Sequence, residues 1–155
     1  MMDFPETNSA LLLPGSAGNI EAMLEFPAQF HSSTPIVLIC HPHPPDGGTM
    51  NNKVVTTLAK AFIDSGYISL RFNFRGVGLS EGVYDKGNGE VSDCLSLIQW
   101  LQHVRPDAKI ALAGFSFGSW VALKASEKLT PILMVSVAPP VGFRDFTDVI
   151  VPHCP

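Results

Sequence analysis

The chain is 155 residues long, 46% hydrophobic and 15% charged, with a formal net charge of −4. That is enough chain for one globular core, and its apolar fraction rules out a disordered or low-complexity segment. The small negative charge, with no run of basic residues, argues against nucleic acid or an anionic membrane as the partner.

The apolar stretches Ile110–Leu123 and Leu129–Phe143 fall short of the about 18 residues a spanning helix needs, and both contain Gly or Pro. The start, Met-Met-Asp-Phe-Pro-Glu, has no basic segment leading into an apolar one, so no secretory leader is expected. Cys40, Cys94 and Cys154 are odd in number and far apart in sequence. They read as reduced thiols, and the expected location is cytoplasmic.

In chain order, Leu11–Leu13, the turn cluster Pro14–Gly18 and the alternating Asn19–Phe26 predict an antiparallel hairpin. Ile36–Cys40 is solidly apolar, as a strand covered on both faces should be. Asn51–Ser65 predicts a helix with Val54, Val55, Leu58, Ala61 and Phe62 inward, stopped by Gly66. Tyr67–Phe74 alternates as a strand, and Glu90–His103 predicts a helix burying Val91, Cys94, Leu95, Ile98 and Leu101. Asp93 is read as a solvated residue of that helix, Trp100 and Trp120 as packing residues. Lys109–Gly114, Phe117–Leu129 and Ile132–Ala138 then predict strand, helix and strand. Strands alternating with helices imply βαβ units, hence an α/β fold: a mostly parallel sheet with an N-terminal antiparallel hairpin and helices on both faces.

Gly114-Phe115-Ser116-Phe117-Gly118 matches the G-x-S-x-G pattern, directly after a predicted strand and directly before a predicted helix. In such a turn the serine takes a strained backbone conformation that lifts its hydroxyl above the sheet. Strand and helix pass so closely that the flanking positions must lack side chains, which Gly114 and Gly118 do. Two further segments join it: His41-Pro42-His43-Pro44 with Gly47–Val55, and Arg71-Phe72-Asn73-Phe74-Arg75-Gly76 through Gly82. In this order the three motifs resemble the compact α/β-superfamily hydrolases of dienelactone-hydrolase-like or esterase-like type.

That resemblance implies Ser116 as nucleophile toward a small-molecule ester or related acyl bond, with no cofactor. It also implies two backbone N–H donors for the developing oxyanion, because acyl transfer places negative charge on the carbonyl oxygen. One is Phe117, directly after the serine. The other comes from the loop after Ile36–Cys40, where Pro42, Pro44 and Pro45 have no N–H to give. His43 stands where the residue after His-Gly stands in related hydrolases, with Pro42 replacing the glycine, and Gly47 and Gly48 are fallback donors.

His41 and His43, with Asp46, also suggest a metal, but no further ligand is evident and the prolines stiffen the loop against wrapping an ion, so none is expected. His41 is expected to bond backbone groups and shape the loop. Arg75-Gly76-x-Gly78-x-Ser80 lacks the lysine of a phosphate cradle, and Arg75 is read as tying loops together.

The family order places an acid and then a histidine after the serine, each following a later strand. Only Glu127, Asp145, Asp148 and His153 follow Ser116, too close together to hold those elements. The expectation is one α/β-hydrolase-like domain over 1–155 that lacks its C-terminal portion and last strands. The apolar strand 132–138 is then left at a sheet edge and is expected to self-associate. A truncated, catalytically impaired homologue serving as a binding protein, or without function, is the alternative to an active serine hydrolase.

Overall fold

The computed structural model describes residues 3–155; Met1 and Met2, part of the start discussed above, lie outside them. Strands β1 (Ser9–Gly15) and β2 (Gly18–Glu25) form the hairpin, followed by β3 (Ile36–Cys40), helix α1 (Lys53–Asp64) and β4 (Ile68–Phe72). Helix α2 (Asn88–Val104), β5 (Ile110–Phe115), α3 (Phe117–Ala125) and β6 (Met134–Val137) complete the order. A single 3₁₀ turn, Pro44–Asp46, interrupts the loop after β3.

The six strands make one sheet in the order β1-β2-β4-β3-β5-β6. The β1/β2 and β2/β4 pairs are antiparallel and the remaining three are parallel. Every residue of β3 is buried, since it lies mid-sheet with helices on both sides. One core cluster joins the hairpin to α2 and α3; the other, built on Val37, Ile39, Ala111 and Ala113, packs against α1 through Val55, Ala59 and Phe62. Chain leaving β3 therefore crosses to one face, and chain leaving the adjacent β5 crosses to the other. The loops diverge there and open a crevice beyond the carboxyl ends of the two strands, where ligands of open α/β sheets bind.

Several expectations need correction. On α1 the inward alanine is Ala59, not Ala61, which is exposed, because the sheet-facing stripe follows Val55-Ala59-Phe62. Helix α1 starts at its Asn52 cap, whose side chain accepts from Val54 and Val55 N–H. Helix α2 begins two residues early because Glu90 reaches back to Gly87 N–H at 2.9 Å. It also buries Leu97, beside Ile98 and Leu101. Helix α3 stops at Ala125, four residues before Leu129, where the Ser126 hydroxyl turns back onto the Leu123 carbonyl. Ladder pairing of β6 begins at Met134, although Ile132 N–H already bonds Ile110 O.

Asp93 is the largest departure. It is 1% exposed, with Arg75 Nη2 at 2.8 Å and Arg75 N–H donating to its other oxygen at 2.9 Å. Its helix face looks polar in sequence because its partner arrives from a loop rather than from a neighbouring turn.

Strand β6 is the outer strand on its side, and the tail returns so that Pro155 O accepts from Met134 N–H at 2.9 Å. Among the described residues, no helix is long and apolar enough to cross a membrane.

Candidate active site

Ser116 sits between β5 and α3 with φ 53° and ψ −121°, one of three non-glycine residues among those described with a left-handed φ. A serine holds such a conformation only where its surroundings impose it. Here the flanking glycines do so. A Cβ on Gly118 would collide with the Cys40 and His41 carbonyls, and one on Gly114 with the Gly118 backbone. The absence of side chains lets α3 start against the end of β3, aiming its N-terminus and Ser116 into the crevice.

Ser116 borders two adjoining clefts. One, of about 330 Å³, is walled by His43, Asp46, Phe117, Pro140, Phe143 and Arg144. The other, of about 230 Å³, runs past Pro42, Gly47, Gly48 and Asn52. His43 and Asp46 border both.

The loop after β3 is held from several sides. His41 is fully buried; its Nδ1 donates to Pro42 O at 2.7 Å and its Nε2 accepts from Phe74 N–H at 3.0 Å. Those two bonds define a neutral imidazole, and burial pushes its pKa from 6.5 down to about 4. An unfolded chain would take up a proton near 6.5 that the folded chain refuses until about pH 4. Stability from this group is thus present in full above 6.5 and lost as pH falls toward 4, by about 3 kcal/mol. Urea unfolding between pH 7 and pH 4 should show this slope, and His41→Gln should flatten it; an equally steep curve in the variant would refute the assignment.

His43 projects from the other side of Pro42. Its Nδ1 meets Asp46 Oδ2 at 2.9 Å and its Nε2 meets the Tyr84 hydroxyl at 2.9 Å. Its ring packs edge-on to Phe117, with centroids 5.4 Å apart, and Phe117 in turn contacts Phe74 and Tyr84. The Gly47 and Gly48 N–H groups donate to Pro44 O and His43 O, so both are spent inside the turn and neither is a free donor, contrary to the fallback expectation. Among the described residues, the His43 and Phe117 N–H groups meet no protein acceptor.

Arg75 ties loops together, as its position suggested. Besides Asp93 it reaches Ser16 Oγ at 3.0 Å in the hairpin turn, and Glu90 lies 4.0 Å away. Glu90 is itself fully buried, and burial raises its pKa against the pull of the Gly87 and Asp85 N–H groups. This anchors the segment that carries Tyr84 to His43.

The carboxylates after Ser116 are engaged elsewhere, and His153 lies exposed in the tail. Asp145 accepts from Thr147, while Asp148 and Glu127 both pair with Lys124. Among the described residues, no group of three or more His, Cys, Asp or Glu side chains is arranged to hold a metal ion.

The sequence reading missed Tyr84, which has no local signal because its partner lies 41 residues away. It also missed the cleft wall of Pro140, Phe143 and Arg144, which belongs to the irregular tail. Asp46 was considered only as a metal ligand; its spacing from His43 across one turn was the available clue.

The strand order, the divergence of the loops after β3 and β5 and the strained serine turn define an α/β-hydrolase fold. The profile of the X-Pro dipeptidyl-peptidase (S15) family matches residues 19–153. A Xanthomonas campestris protein, XC6422, described as an α/β serine hydrolase without a lid, superposes with a TM-score of 0.93 at 40% identity. The match covers 99% of this chain and 71% of that one. An α-β serine hydrolase homologue from Coxiella burnetii gives 0.91 at 44% identity, over 99% and 73%. An uncharacterized protein of Rickettsia prowazekii, RP471, is 43% identical over 130 residues, which are 83% of this chain and 54% of that protein. The chain thus spans about half the length of this curated relative. It belongs to the α/β serine hydrolases, within the family described as X-Pro dipeptidyl-peptidase (S15).

Proposed function

We propose that the chain carries the nucleophile and oxyanion half of a hydrolase acting on an ester or related acyl bond of a small molecule. The observation that carries this reading is Ser116 held at φ 53° at the start of α3, facing a cleft. In the reaction Ser116 Oγ would attack the carbonyl carbon, its proton passing to water as the C=O pair moves onto the oxygen. Collapse would expel the alcohol and leave an acyl-serine that water hydrolyses. The oxygen turning negative would lie against the unengaged N–H groups of Phe117 and His43. The positive end of the α3 dipole adds to their effect, and these donors need no reorganisation as charge develops. Tyr84 and Asp46 hold the His43 ring and thereby its backbone. The two clefts flanking Ser116 give room for the acyl and leaving-group portions.

A specific observation supports a second reading, that of a non-catalytic homologue. Among the described residues no histidine hydrogen-bonds the Ser116 hydroxyl, and both ring nitrogens of His43 are engaged. A general base must come within hydrogen-bond reach of the proton it takes.

A fluorophosphonate probe separates the two. Labelling should appear on the peptide containing Ser116 and vanish in Ser116→Ala. Residual chemistry from binding and the oxyanion donors alone makes that labelling slow but site-specific. Complete silence, with circular dichroism showing folded protein, would overturn autonomous acyl chemistry and leave the binding reading.

A further inference from the structure

Among the described residues, Arg144 is the one lysine or arginine on the wall of the larger cleft beside Ser116. Its guanidinium is stacked over the Trp120 ring, 4.1 Å from the centroid, and lies 5.0 Å from that of Phe117. Its Nη2 donates to Lys86 O, and its backbone N–H bonds Pro140 O at 3.1 Å. Trp120 Nε1 bonds Asp145 O at 2.9 Å, pinning the adjoining residue to α3. The side chain is therefore held in one position from both ends.

Among the described residues no carboxylate forms an ion pair with Arg144. Of five guanidinium N–H donors, the bond to Lys86 O uses one Nη2 proton. The acid on the same wall, Asp46, is already taken up by His43. Aromatic stacking leaves the edge of an arginine available, and that edge matches the paired oxygens of a carboxylate or phosphate. A rigid, unpaired arginine in a cleft of about 330 Å³ is a preorganised anion site.

We propose that Arg144 is a specificity-determining residue of the Ser116 cleft, and that the substrate carries an anionic oxygen group, carboxylate or phosphate, displaced from its acyl bond. This rests on the reading of Ser116 as nucleophile, and the binding arm of the test stands apart from it.

Monomethyl succinate, methyl phosphate and the neutral dimethyl succinate serve as probes. Binding is followed by tryptophan fluorescence, since Trp120 touches Arg144, and by protection of Ser116 from the fluorophosphonate. An anionic probe should bind at least about tenfold more tightly than dimethyl succinate, the effect of one charge-assisted pair. The better of the two anions identifies the group. Arg144→Gln should erase the preference and Arg144→Lys should keep part of it. Lys124→Gln, which removes the same charge from α3 rather than from the cleft wall, should leave it unchanged. Should Arg144→Gln fail to fold, the wild-type preference must still shrink as salt rises from 0.05 to about 0.5 M, because it is electrostatic. Equal binding of the anions and the diester, or a preference that survives Arg144→Gln or is insensitive to salt, overturns the proposal. If Ser116 is never labelled while the fluorescence preference holds and depends on Arg144, the nucleophile reading fails and the anion site stands.

Discussion

Gly118→Val should destabilise the protein by more than about 3 kcal/mol, beyond the usual range for overpacking. The reason is the identity of the atoms in the way. A Cβ at Gly118 meets the carbonyls of Cys40 and His41, which are backbone at the end of a central strand and cannot swing aside as a side chain would. Gly47 provides the internal comparison. It has φ 83° and open space around its Cβ position, so Gly47→Ala carries only the left-handed conformational cost of about 1–2 kcal/mol. Urea denaturation of both variants measures the difference. A Gly118 variant no worse than Gly47→Ala would mean that α3 is not seated against β3 as described. Because the displaced carbonyls lead directly into Pro42 and His43, any folded Gly118→Val should also lose labelling at Ser116.

Asp93→Ala should cost about 3–5 kcal/mol, the range for removing one partner of a buried ion pair. The loss exceeds that of a surface bridge because Arg75 retains its charge, with its side chain only 13% exposed, and its N–H loses an acceptor as well. Glu90 at 4.0 Å offers a partial substitute, which places the expected cost toward the lower end. A double-mutant cycle with Arg75→Met should return a large coupling between the two positions. Hydrogen exchange should show the loosening centred on residues 75–87, the segment that delivers Tyr84 to His43. A change below about 0.5 kcal/mol would fit a solvated aspartate instead.

These two predictions come from features of opposite visibility. The glycines at 114 and 118 were legible because an elbow is a local object: strand, turn and helix are adjacent in sequence, and the steric demand falls on fixed neighbours of the serine. The hairpin and the order of strands and helices were legible for a similar reason, since periods of two and of about 3.6 residues are written into short windows. Asp93 was not legible. Its charge said surface, and only a guanidinium 18 residues upstream, brought alongside by folding, makes its burial favourable. Small errors on the helices share that origin. Whether Ala59 or Ala61 faces inward depends on where the sheet lies against α1, and both positions are compatible with an apolar stripe.

The amino-acid sequence alone determined the α/β class, the strained serine between β5 and α3, and His41 and His43 in the loop facing it, because each follows from residues close together in the chain. Only the tertiary structure decided what surrounds that serine. It spent the Gly47 and Gly48 N–H groups inside their turn and, among the described residues, left those of His43 and Phe117 without a protein acceptor. It brought Tyr84 to His43 and laid Arg144 over Trp120. Such contacts join residues tens of positions apart, and they depend on where a twisted sheet and its diverging loops come to rest.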